Sequence, residues 1–153
     1  MSAQTLPDAV LQQLRGSAVA AMVGDTFSPD LGEGTIRIGF DYLGNGSLPY
    51  IVIQEPQESR GYFTRGGDAR QTYLADGSLL IRCFTADRLS IKSLASAVAL
   101  ALNDAPLVWG DGDRMMHLRA TTTSITPLSD VGSDSPTAFL GTIMCEFTYQ
   151  GAV

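Results

Sequence analysis

Pro49-Tyr50-Ile51-Val52-Ile53-Gln54-Glu55 reads as a strand: a short apolar run, β-branched and aromatic, opening on a proline. The segment after this strand shapes the rest of the fold. From Pro56 to Asp76 the chain is polar and glycine-bearing, dotted with arginine, before apolar character returns at Ser78–Thr85. A connection of about twenty residues inside a compact domain usually serves a function. The reading over residues 57–76 is a long flexible loop protruding between two strands.

Working outward, Thr5, Pro7 and Asp8 suit the cap and first turn of a helix. Val10, Leu11, Leu14, Ala18, Ala21 and Met22 continue it as one apolar stripe that stops at Gly24. Ile36, Ile38, Phe40 and Tyr42 alternate with polar or small residues as a half-buried strand does, and Gly44-Asn45-Gly46 marks a turn. Beyond the loop, Leu79, Ile81 and Cys83 share one strand face. Ile91, Leu94, Val98, Ala101 and Leu102 form the buried stripe of a second helix over 86–103. Met115–Thr126 and Ala138–Tyr149 read as two long final strands, with Ile143, Cys145, Phe147 and Tyr149 on one face and a polar hairpin connection between them. This order predicts an α+β fold: two helices packed on one face of a mostly antiparallel sheet, within a single domain over 1–153.

At 153 residues the chain is long enough to bury a core without disulfides or metals. Its net charge of −6 argues against a protein built to coat nucleic acid. The start, Met1-Ser2-Ala3-Gln4-Thr5, lacks the basic and apolar regions of a signal peptide, and Leu94–Leu102 is too short to span a bilayer. We therefore expect folding in a cytoplasm with no membrane partner. Cys83 and Cys145 sit in apolar runs, which suits buried reduced thiols; a disulfide between core strands is the alternative.

No catalytic motif appears. The single histidine, His117, lies near Asp111 and Asp113, an arrangement that fits a metal site or, more simply, a tight turn before a strand. A dyad of His117 with either cysteine is a further option. Gly61–Gly67 lacks the lysine-hydroxyl pair of a phosphate-binding loop. No catalytic residue, cofactor or metal is assigned. The 57–76 stretch is different in kind: Arg60, Arg65 and Arg70 recur at five-residue intervals, interleaved with Tyr62, Phe63 and Tyr73. Arginine and aromatic residues are enriched at protein interfaces and also stack on nucleic acid. These six residues are the candidate partner interface; a solvated excursion is the plain alternative.

The whole pattern resembles the tail-terminator and tail-completion proteins of long-tailed bacteriophages. The resemblance rests on the N-terminal helix, the strand Leu48–Glu55, the polar loop and the run from Thr85-Ala86-Asp87 into a Leu/Ala-rich helix. It continues through Leu107-Val108-Trp109, a Gly-Asp turn, a polar strand with Arg119 and Thr121–Thr123, and the alternating strand Thr142–Tyr149. It implies a virion protein without catalytic activity, assembled in the host cytoplasm as a ring, commonly a hexamer. Such a ring sits on the head-proximal end of the tail tube, stops its growth and meets the head connector, with DNA passing only through the lumen. The implied partners are other copies of the chain, the tail-tube protein and the connector or neck protein. Other readings are a neck or tail-tube subunit and, from a different class, a small ligand-binding α+β domain with Trp109 and Tyr50 near a pocket.

Overall fold

The computed structural model describes residues 3–40, 48–64, 71–110, 112–128 and 138–152. In chain order the elements are α1 Leu6–Arg15, α2 Ala18–Val23, β1 Ile38–Gly39, β2 Tyr50–Ile53, β3 Gln57–Thr64, β4 Gln71–Thr85, α3 Arg88–Leu102, β5 Val108–Trp109, β6 Asp113–Leu128 and β7 Ala138–Ala152. The strands form one sheet in the order β1-β2-β4-β7-β6-β5, with β3 also paired to β4. Every pairing is antiparallel except that of β1 with β2. The α+β class is as the sequence suggests.

The N-terminal helix is two helices. Gly16 closes α1, and Ser17 adopts an extended backbone at φ −106° and ψ 178°. Its hydroxyl accepts from the Val19 N–H and donates to the Leu14 carbonyl, capping α2 while tying it to the end of α1. The apolar stripe runs through this break because Leu14 and Val19 are both buried, which is why periodicity alone joined the two. Gly24 ends α2 in the left-handed conformation, φ 74°.

The excursion over 57–76 is corrected more deeply. Gln57–Thr64 is a strand paired residue for residue with Gln71–Ser78, from Gln57↔Ser78 to Thr64↔Gln71. Polar residues order here because the backbone of β4 supplies hydrogen bonds that their side chains do not need to provide. Only 65–70 of the expected loop lies outside the described residues. At the root of this hairpin Gly77 is required: a Cβ there would strike the Gln57 carbonyl oxygen and the Phe147 ring.

The expected strand around Ile36–Tyr42 shrinks to Ile38–Gly39. Ile38 is buried, but Ile36 and Phe40 are exposed, and residues 41–47 lie outside the described set. Buried Asp25 explains the placement. One of its carboxylate oxygens accepts from the Arg37 and Ile38 N–H groups at 2.8 and 2.9 Å, and the other pairs with Arg15 Nε at 3.3 Å. Arg15 also donates to the Ile38 carbonyl.

α1 and α3 pack over one face of the sheet, and α2 packs on both helices. Leu79, Ile81 and Cys83 of β4, with Ile143, Cys145, Phe147 and Tyr149 of β7, point to that side and are buried with Leu94, Val98 and Leu102 of α3. Both cysteines are free and buried. Burial pushes each thiol up to about 12. Cys83→Ser or Cys145→Ser is expected to cost about 1–3 kcal/mol, because the hydroxyl enters an apolar site without an assured partner. The native thiols should resist labelling at neutral pH. The ordinary thiol value is 9.0, so the stability these groups contribute is complete below pH 9 and falls as pH rises towards 12. Rapid labelling of native protein would contradict the placement.

Candidate assembly surface

Side chains of β3 at alternate positions face the helix side of the sheet. Glu58 and Arg60 meet there over the end of β7. Arg60 donates to Glu58 Oε1 through Nε at 3.0 Å and Nη2 at 2.8 Å. The Tyr149 hydroxyl lies 2.9 Å from both Glu58 oxygens and donates to that carboxylate. The Arg60 guanidinium lies over the Tyr73 ring, 4.7 Å from its centroid. Tyr73 and Trp109 each meet Tyr149 edge to face, at 6.1 and 4.8 Å. The Glu58 hydrogen bond raises the Arg60 pKa further, so the guanidinium stays charged. Burial, and then Glu58, push the Tyr149 hydroxyl up as well, so it stays a donor.

This geometry changes the role of two candidate interface residues. Arg60 binds within its own chain and clamps β3 to β7, while Tyr73 is 6% exposed and belongs to the core. Tyr62 and Phe63 lie on β3 opposite Tyr73 and Thr72. Arg65 and Arg70 lie outside the described residues. The sequence reading missed Glu58 and Tyr149, although Tyr73, Ala75, Gly77, Leu79, Ile81 and Cys83 form one period-two series that would have carried β4 back into the loop.

The ligand-pocket reading is not assembled as expected. A cleft of about 330 Å³ does lie beside Trp109, Tyr149, Glu58 and Arg60. Tyr50, however, stacks on Phe84 at 4.6 Å and does not line it. His117 is exposed on β6 while both cysteines are buried, so the structure does not join them in a dyad. Among the described residues no group of three or more metal-capable side chains converges; Asp111 lies outside them.

The opposite face of the sheet carries no helix among the described residues and is mixed: Leu80 lies beside Met144, and Phe84 lies between Tyr50 and Leu140, among polar rows. Its cross-strand rows include Arg82–Thr142–Ser124, Ser78–Glu146–Arg119 and Asp76–Thr148–His117. Thr148 Oγ1 donates to Asp76 at 2.6 Å, and Arg114 donates to Gln150 at 3.1 Å.

The sheet's edges are treated unequally. The edge of β1 is closed by Asp25 and Arg15. The first half of β6 is closed by the segment after α3: Met115 N–H donates to the Leu107 carbonyl, Asp104 N–H to the Leu118 carbonyl, and Ala120 N–H to Asn103 Oδ1. Among the described residues, two long stretches have no partner on their outer side: Gln57–Thr64 of β3 and Thr121–Thr126 of β6. Unpaired edges are templates for another chain, and natural proteins usually guard them with charge. Thr121-Thr122-Thr123-Ser124-Ile125-Thr126 carries none.

Among the described residues, one face of the sheet carries no helix and two strand edges stand open. The chain belongs to the tail completion protein gp17 family, whose sequence profile matches residues 8–133. In architecture it is similar to a chain of the virion of a native gene transfer agent particle, with a TM-score of 0.64, 22% identity and 95% of each chain covered. No curated protein sequence matches it. The chain is thus a phage-type tail structural protein.

Replacing Tyr149 by Phe keeps the ring but removes the donor to Glu58. It should lower stability by about 1.5–3 kcal/mol in urea unfolding, the range for a hydrogen bond to a charged group. An unchanged midpoint would show that the clamp contributes nothing.

Proposed function

We propose that the chain is a tail terminator. Copies form a ring, commonly a hexamer, at the head-proximal end of the tail tube, stop its growth and present a surface to the head connector. The family membership supports a role in completing a tail. The observation that carries the ring is the pair of open strand edges on opposite sides of one sheet. A contact between two different surfaces of identical chains propagates in one direction, and it ends only by closing. The helix-free face of the sheet carries rows of hydroxyl groups and mixed charges, among them Arg82–Thr142–Ser124 and Asp76–Thr148–His117, which suit a wet lumen through which DNA passes. The role is structural, with no chemistry asked of any side chain.

The test is to add purified protein to growing tail tubes and to weigh the protein alone and tube-bound by native mass. Tubes should stop lengthening and carry a ring-sized cap at one end. A strict monomer that binds no tube end would overturn the proposal, and incorporation along the tube would make the chain a tube subunit instead.

A further inference from the structure

We infer that neighbouring copies join by backbone pairing, with Thr121–Thr126 of β6 in one copy running antiparallel to Gln57–Thr64 of β3 in the next. The inference rests on the ring reading and names the surface that closes it.

Direction is the first argument. β3 is antiparallel to β4, β4 to β7 and β7 to β6, so β3 and β6 of one sheet run in opposite senses. A copy placed beside β6 by rotation therefore presents its β3 antiparallel to it, the sense of its neighbours in the sheet, with the irregularity between Thr122 and Ser124 lying within the paired stretch.

Space is the second. β2 and β3 pair with different halves of the same edge of β4, and β1 stands one strand further out beyond β2. Beside β3 this leaves a notch one strand wide. The edge of β1 is plugged by side chains, so the notch offers backbone groups only along β3. At the other side of the sheet the start of β6 is plugged in the same way, leaving Thr121–Thr126 as the matching strand.

Stagger is the third. Gln57–Thr64 lies level with Gln71–Ser78 of β4, whereas Thr121–Thr126 lies level, through β7, with Leu80–Phe84. Joining them displaces each copy along the strands by about seven residues, or about 25 Å at about 3.3 Å per residue. Spread over about four strands per copy at about 4.8 Å each, that displacement closes on itself when strands tilt by about 50° from the ring axis. Closed barrels tilt by about 35–45°, so the offset that looks awkward in one subunit is the shear that a barrel needs. With the helices outside such a ring, the helix-free face of the sheet turns inward.

Cross-linking tests it on the full chain. Ser59→Cys is combined in one chain with Thr121→Cys, Ser124→Cys or Thr126→Cys in turn, all on the helix-free face, the buried native thiols being left in place. Oxidation of the assembled protein should give a ladder of disulfide-linked multimers in at least one combination, and none in the single variants. Rings of unchanged mass that cross-link in no combination would overturn this interface while leaving the ring reading intact. Absence of any assembly by native mass, with or without tube ends, would remove both.

Discussion

β4 is paired along both edges, and the rest of the architecture depends on how it divides one of them. On one side it runs against β7 from Thr72 to Thr85 without interruption. On the other it is shared, with β3 along Gln71–Ser78 and β2 along Ile81–Phe84. Backbone donors and acceptors in a sheet interior have to be matched, so this strand obliges the polar residues Gln57–Thr64 to become a strand. That obligation moves the free edge of the sheet outward to β3. The Glu58–Arg60–Tyr149 contacts then fix the new edge strand to the core face of β7, which keeps it flat against the sheet.

The helices solve a different problem. They bury the apolar faces of β4 and β7, and their connections also supply plugs for backbone edges: Asp25 and Arg15 on one side, Asn103 and Asp104 on the other. Among the described residues most of the perimeter is closed by the chain's own groups. The two stretches left open there run in opposite senses and are displaced along the strands, which is the basis of the proposed joining to a next copy. The helices cover the more apolar face of the sheet; the other face mixes polar rows such as Arg82–Thr142–Ser124 with apolar ones such as Leu80–Met144.

The parts of this fold legible in the sequence are those where burial on one face writes a clean period. β7 alternates from Ile143 to Tyr149, and α3 repeats apolar residues from Ile91 to Leu102; both stand where the pattern puts them. β3 was illegible because neither of its faces is apolar: Glu58 and Arg60 point to the helix side, and their partners, Tyr149 and Tyr73, are far away in sequence. The break at Gly16-Ser17 was hidden because a single cap interrupts the backbone without interrupting the apolar stripe. Around Ile38 the alternation overstated the strand, since β2 pairs with Ile38–Gly39 on one side and a buried carboxylate, in place of a strand, holds the Arg37 and Ile38 amides on the other. Of the arginine-aromatic cluster, Tyr73 is buried in the core and Arg60, still exposed, pairs with Glu58 of its own strand. The edge itself, Thr121–Thr126, is visible in sequence only as a threonine run.

The chain is a phage-type tail structural protein, and the proposed assembly continues its sheet from one copy to the next. Backbone amide exchange is the most direct measurement of that claim, because it reads the hydrogen bonds themselves. In the free subunit the outward-facing amides of Gln57–Thr64 and Thr121–Thr126 should exchange fast, while the interior amides of β4 and β7 are protected. On assembly both open stretches should become protected together, by at least about tenfold, the factor that about 1.4 kcal/mol of added pairing confers. Exchange at both stretches that stays as fast in the assembled particle as in the free subunit would contradict the account.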